Sequence, residues 1–222
     1  FVPNATEIRP ADYSVNVLDD RAARNFIDEH HYLRTYPAAQ LAVGLFGPGT
    51  ARTPQLQGVA VFATPSNNAV ISAHTGLTAP SQGTTLSRLV LLDKVPGNGE
   101  SFLVARARKL LRQHKSGIQA FVSYSDETVG HIGLVYCALS AAYRGRTRPR
   151  TCYLVNGRPI SGRTLSKVRL QESGAAGAAS QITNAGASAR QWGEAPADWI
   201  NRLRTEGTLS TRAHPGLHVY AF

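Results

Sequence analysis

Residues Phe121 to Tyr136 read Phe-Val-Ser-Tyr-Ser-Asp-Glu-Thr-Val-Gly-His-Ile-Gly-Leu-Val-Tyr. A short apolar β run ends in a carboxylate, Asp126, and a Gly-His-x-Gly turn then leads to an apolar segment carrying Tyr136. Open α/β sheets place their chemistry at the C-terminal ends of strands. Asp126 there can ligate a metal, accept a proton or cap the next helix. His131, between two glycines, lies either where backbone approaches a ligand closely or in an ordinary loop. Tyr136 is a proton donor or a core aromatic. A second group is His30-His31-Tyr32, whose imidazoles and phenol can act as metal ligands or acid–base groups. Adjacent helical positions diverge, so the two histidines are not expected to share one site; a plain core or surface pair is the other reading. A third is Gly97-Asn98-Gly99, followed by Glu100 and Ser101. Free N–H groups at a helix start suit an anion such as phosphate, although Asn98 can equally serve as a simple cap.

The charge points to a partner. The 222 residues carry 24 Lys and Arg against 14 Asp and Glu, a net charge of +10. From Thr128 to Gln171 there is no acid at all, while Arg144, Arg146, Arg148, Arg150, Arg158, Arg163, Lys167 and Arg169 fall in that stretch. Such a one-sign patch is the footprint of a polyanion, here nucleic acid; the bland reading is a solvated basic face. Cys137 and Cys152 lack metal spacing and read as reduced thiols of a cytoplasmic protein. No apolar run is long enough for a membrane span. No signal peptide is evident, and the sequence does not begin with Met.

These groups need elements to hold them. Tyr13 to Leu18 alternates as a strand, and Asp19 or Asp20 caps a helix whose Ala23, Phe26, Ile27 and His30 recur at helical spacing. Leu41 to Phe46 and Gly58 to Ala63 are strands of a hairpin with a loose Gly- and Pro-containing loop. Thr64 to Gln82 reads as an irregular loop and Leu86 to Leu92 as a buried strand. A helix from about Glu100 to Lys115 carries an apolar face of Leu103, Ala107, Leu110 and Leu111 and a basic face opposite. Ile118 begins the strand that ends at Asp126, and Val129 to Leu139 is a short helix. Thr151 to Val155 is a strand, Ala197 to Leu203 a helix with Trp199 facing in, and Leu217 to Phe222 a closing strand. Gly174 to Ala189, rich in Gly, Ala and Ser, reads as a flexible excursion. The order predicts one α/β domain over 1–222 with a mixed central sheet flanked by helices.

Ser123-Tyr124-Ser125-Asp126 followed by Gly130-His131-x-Gly133-x-x-Tyr136-x-Ala138 resembles the Ser-Tyr-Ala-Asp … Gly-His-x-Gly-x-Ile-Tyr-Gln-Ala signature of Mom proteins, DNA modification enzymes of phage Mu and its relatives. His31-Tyr32 resembles the His-Tyr near that family's N-terminus. Leu86-Ser87-Arg88-Leu89-Val90-Leu91 with Asn98-Gly99-Glu100-Ser101 resembles its Arg-bearing strand and following helix start. Pro215, Gly216, His218 and Tyr220 match its closing segment. Cys137 and Ser125 depart from the pattern, where the family has Gln and Ala. The resemblance implies a GNAT-like fold, with a central split in the sheet where an acyl-CoA (acetyl-CoA among them) lies. It also implies conversion of adenine in duplex DNA to a carbamoylmethyl form, protection of phage DNA from restriction, and an iron dependence. The site it implies comprises Asp126, Tyr136, Tyr32, Arg88 and Ser101 as catalytic residues, and His31, Asp126 and Tyr32 as metal ligands. Gly97, Asn98, Gly99 and Ser101 would lie at the cofactor, and Arg144, Arg146, Arg148, Arg150, Arg163 and Lys167 on DNA. Two other functions remain compatible: GNAT-like acyl transfer to a small amine or protein, and DNA binding without catalysis.

Overall fold

The computed structural model describes residues 6–49 and 53–222. Part of the expected hairpin loop, residues 50–52, therefore lies outside the described residues. The elements in chain order are β1 (Ser14–Leu18), α1 (Asp20–His30), β2 (Ala39–Gly47), β3 (Gln55–Ala63), α2 (Ala69–Thr75), β4 (Gly83–Leu91), α3 (Gly99–His114), β5 (Ala120–Ser125), α4 (Leu134–Ala138) and β6 (Ala142–Arg146). They continue with β7 (Arg150–Val155), β8 (Arg158–Ile160), α5 (Gly162–Arg169), α6 (Ala175–Asn184), α7 (Pro196–Thr205), β9 (Leu209–His214) and β10 (His218–Ala221). The chain divides into two compact units, where the sequence suggests one domain. The first runs to Thr147 and resumes at Leu217–Phe222; the second is Arg148–Gly216.

The first unit holds a seven-stranded sheet in the order β1-β2-β3-β4-β5-β10-β6. All neighbours are antiparallel except β4 and β5. This is the mixed sheet flanked by helices that the sequence predicts. Asp19 caps α1 by accepting from the N–H groups of Arg21 and Ala22, both at 3.0 Å, and Ala23, Phe26 and Ile27 of α1 pack on Ala42, Val59 and Val61. On the opposite face Leu103, Val104, Ala107 and Leu111 of α3 meet Leu41, Val43, Leu45, Phe62 and Phe121. The loop expected over Thr64 to Gln82 contains α2. Val70 and Ile71 bury against Val122 and Val219, a tertiary contact that a seven-residue polar-flanked helix needs to form at all.

Two irregularities shape the centre of this sheet. The parallel pairing of β4 with β5 covers only Gly83↔Ala120 to Leu86↔Ser123. Beyond that point the strands part, which is the expected split. The β3–β4 register also slips, from Val61↔Arg88 to Phe62↔Leu86, leaving Ser87 as the extra residue of a bulge. Leu86 lies with the α3 cluster, whereas Arg88 is turned to the α1 side, opposite Val61.

The second unit has a three-stranded antiparallel sheet, β8-β7-β9. Val155, Leu165, Val168, Trp199, Ile200, Leu203 and Leu209 form its core, with Trp199 inward as expected. The stretch read as a flexible excursion, 174–189, instead holds α6, whose Ala178 and Ile182 are buried in that core. Small residues there reflect close helix packing and not looseness.

Candidate active site

Three segments distant in sequence meet in the first unit. His31 caps the C-terminal end of α1 through its own N–H to Ile27 O, 2.9 Å, and its Nδ1 accepts from Leu33 N–H at 3.1 Å. That bond places the proton of the neutral ring on Nε2. His31 is buried, and its pKa falls to about 4, first from burial and then from the Arg88 guanidinium and His131. The ring is therefore uncharged at neutral pH. Tyr32 stacks on it, centroids 4.6 Å apart, and stays about half exposed. His131 meets the edge of Tyr32 at 5.9 Å.

Arg88 reaches the same place from the bulge in β4. Its Nε donates to Thr35 O at 2.9 Å, and its terminal nitrogens donate to Thr35 Oγ1 at 2.8 Å and Ser87 O at 2.6 Å. These acceptors are neutral, so positive charge persists in a partly desolvated place. Burial lowers the Arg88 pKa and the nearby Tyr32 phenol raises it.

Tyr136 approaches from α4. It is buried, hydrogen-bonds with Ser123 and lies close enough to Tyr32 to feel its charge. Ser123 closes the last paired rung of β4 and β5, and its hydroxyl donates to Leu86 O at 3.3 Å. The phenol thus stands where the strands part. Burial lifts its pKa to about 12, opposed by Ser123 and helped by Tyr32 and Tyr220.

Asp126 acts first on its own loop. Oδ1 accepts from Thr128 N–H at 2.9 Å and Thr128 Oγ1 at 2.6 Å, and the Asp126 carbonyl accepts from His131 N–H at 3.0 Å. It caps a 3₁₀ turn, Glu127–Val129, and so aims His131 at Tyr32. Gly133 follows at φ +82°, and a Cβ there would run into the Tyr220 ring. Tyr220 is itself held by donating to Ile132 O at 2.6 Å.

The Mom family model matches residues 12–192, most of the chain. The chain belongs to the Mom protein family. No curated protein matches it in sequence. Among solved structures, a tandem GNAT protein from the clavulanic acid biosynthesis pathway is 10% identical, over 95% of this chain and 98% of that one, with a TM-score of 0.47. The ribosomal-protein-S5-alanine acetyltransferase of Vibrio fischeri is 10% identical over 69% and 91%, TM-score 0.45. A putative acetyltransferase of Acinetobacter baylyi is 11% identical over 65% and 83%, TM-score 0.44.

In this Mom family member His31, Tyr32, Arg88, His131 and Tyr136 come together, and Asp126 supports them through its turn. Ser101 does not join them: its Oγ donates back to Asn98 O at 3.0 Å. The expected iron ligands do not fit a metal. His31 Nδ1 is taken by a backbone N–H and Nε2 carries the proton. Among the described residues no group of three or more His, Cys, Asp or Glu is placed to hold one. At the expected cofactor loop, Gly97 N–H donates to Thr6 O at 2.9 Å and Gly99 N–H to Pro96 O at 3.2 Å. Asn98, at φ +67°, gives α3 no side-chain cap. The first-turn N–H groups of α3 are what this loop can still offer a phosphate.

The basic stretch is partly neutralised by the two acids that bound it. Glu127 takes Arg146 in a two-pronged ion pair and also faces His218 Nε2 at 3.3 Å. Glu172 takes Arg163 at 2.7 Å. Arg144, Arg148 and Arg150 are exposed. No pattern in the sequence signals Thr35, because only the loop after α1 carries it to Arg88, or Ser123 as the partner of Tyr136.

Proposed function

We propose that the chain is a transferase that modifies the exocyclic amine of adenine in duplex DNA with a carbamoylmethyl-type group, protecting phage DNA from restriction in the host cytoplasm. Family membership supports DNA modification. The observation that carries the reading is the gathering of His31, Tyr32, Arg88, His131 and Tyr136 at the split, with His31 and Tyr136 both uncharged at neutral pH.

An adenine inside a duplex must leave the stack before its amine can react. Tyr32, backed by His31 and edged by His131, offers an exposed aromatic face on which an extruded base can lie. The amine is a weak nucleophile because its lone pair is delocalised into the ring, so positioning against a polarised donor carbon must supply much of the rate. In the transfer, the amine nitrogen forms the new bond to the donor carbon. The bond from that carbon to the leaving group breaks with its electron pair, and the proton lost by the nitrogen passes to the departing group. Tyr136, held as the phenol, hydrogen-bonds the atom on which negative charge grows. Arg88 orients a carboxylate or phosphate of the donor with the N–H groups that Thr35 and Ser87 leave over. An acyl-CoA would meet the first turn of α3; its thioester carbon would leave an amide on the amine, the product of the acyltransferase reading, whereas the carbamoylmethyl product needs a donor electrophilic at a methylene carbon.

Mass spectrometry of nucleosides from DNA of cells expressing the protein tests this. A new adenosine derivative is expected with the wild type and not with Asp126→Ala or Tyr136→Phe. Unmodified DNA together with acetyl transfer to small amines would establish the ordinary acyltransferase instead. Unmodified DNA with unimpaired duplex binding by both variants and no transfer activity would leave only a DNA-binding protein.

A further inference from the structure

The chain has two tryptophans, and both lie in the second unit. Trp199 is buried in its core and donates from Nε1 to Ser188 O at 2.9 Å. Trp192 is fully exposed, with a relative accessibility of 102%. It is the largest apolar side chain, and leaving it in water is unfavourable unless something covers it.

The loop that presents it is clamped. Gln191 to Glu194 form a tight turn closed by Glu194 N–H to Gln191 O at 3.2 Å, with Trp192 at the second position and Gly193 at φ +75° at the third, the position that requires a left-handed backbone. Glu194 Oε2 accepts from Gln191 N–H at 2.9 Å. Arg202 of α7 then grips the loop: Nε donates to Glu194 Oε1 at 2.8 Å, and its terminal nitrogens reach Glu194 Oε2 at 3.0 Å, Ser188 Oγ at 2.8 Å, Ala189 O at 3.1 Å and Glu206 Oε1 at 3.1 Å. Every N–H of that guanidinium is engaged. The ion pair raises the Arg202 pKa and lowers that of Glu194, the signature of a mutual hold. A side chain at the tip of so constrained a turn is pre-organised for contact.

The surroundings say what the contact is. Arg148–Gly216 contains 10 Lys and Arg against 4 Asp and Glu. Three of those acids are bound to arginines of the same unit. Arg190, two residues before Trp192, is close enough to Glu194 to act on its charge. A rigidly held indole on an acid-poor, basic body complements a polyanion with flat aromatic faces. We propose that Trp192 is a nucleic-acid contact whose indole wedges between base pairs of duplex DNA at a step that it partly unstacks. This rests on duplex DNA being the partner, as in the proposed function, and adds a second recognition element on the other unit. Phosphate contacts from the arginines supply charge attraction, and the indole supplies an apolar wedge at a base step.

The test is binding of a fluorescently labelled short duplex to the full chain, read by anisotropy over a range of salt, for wild type, Trp192→Ala and Trp192→Phe. Trp192→Ala is expected to weaken binding about tenfold, the indole–base contact less the cost of unstacking the step. Its salt slope should match the wild type, because no phosphate contact is removed. Trp192→Phe should retain most of the affinity. Duplex should quench tryptophan emission of the wild type but not of Trp192→Phe, in which only the buried Trp199 emits. Wild-type affinity in Trp192→Ala overturns the inference while leaving the DNA reading standing, as does a change of oligomeric state on sedimentation with DNA affinity unchanged. A wild-type protein that binds no duplex at low salt overturns both.

Discussion

The two units differ in what their charges do. In the first, 14 Lys and Arg face 10 Asp and Glu, and the groups pushed from their ordinary pKa ranges include His31, Arg88 and Tyr136, which share one place and shift mainly through burial. In the second, the excess of base over acid is larger on about half the length, and the shifted groups, Glu194 and Arg202, are partners in a structural clasp. Burial that neutralises an imidazole and keeps a phenol protonated prepares groups for chemistry. An uncompensated basic surface with a fixed shape prepares a grip. In the function proposed above, the contrast would put transfer in the first unit and much of the hold on DNA in the second.

The largest expected effects test that division directly. Tyr136→Phe removes a hydrogen-bond donor without changing the ring, and should lower modification by on the order of a hundredfold or more, as loss of a transition-state donor does elsewhere. Duplex affinity should stay at the wild-type value. A matching fall in affinity would show that the phenol binds DNA and break the contrast. Gly133→Ala forces a side chain into a left-handed position against Tyr220. Destabilisation of about 1–3 kcal/mol in urea unfolding is expected, and wild-type stability would show that the turn can refold around Tyr220.

Acid sharpens the comparison. The folded pKa of His31, about 4, lies below its unfolded value of 6.5, so the unfolded chain takes up the proton first. His31 therefore contributes stability that is present above pH 6.5 and lost as the pH falls toward 4, by up to roughly 3 kcal/mol. A variant His31→Gln should flatten that part of the pH–stability curve; an unchanged curve would mean the ring is not buried as a neutral base. The smallest effect belongs to the second unit. Arg150 and Arg212 sit on adjacent strands, Cys152 pairing with Arg212 and Arg150 with His214. Replacing both with Ala should lower the salt slope of duplex binding by about one for each phosphate that is no longer neutralised and leave the turnover of bound DNA unchanged.

Much of this architecture was legible in local pattern. The Asp19 cap and the apolar faces of α1 and α3 follow from spacing that a helix period imposes, and β5 from a β-branched and aromatic run. The carboxylate at the end of β5 and the His-Tyr at the end of α1 were visible as types in suggestive places. Their roles were not. Asp126 as a turn cap depends on where Thr128 falls, and the fate of His31 Nδ1 depends on the chain turning back so that Leu33 N–H meets it. Both are settled by fine placement in loops, where no hydrophobic period constrains the backbone.

What the sequence by itself determined is the set of elements, the acid-free basic stretch and the candidate side chains. Tertiary structure alone decided which of them meet. One bulged residue, Ser87, turns Arg88 toward Thr35 and His31, because a single insertion reverses the alternation of a strand. Glu127 and Glu172 fold back to occupy Arg146 and Arg163. The two tryptophans make the same point: chemically identical and close in sequence, Trp199 is on the inner face of α7 and Trp192 at the tip of a clamped turn. Burial belongs to the packing of an element against its neighbours, and residue type alone does not contain it.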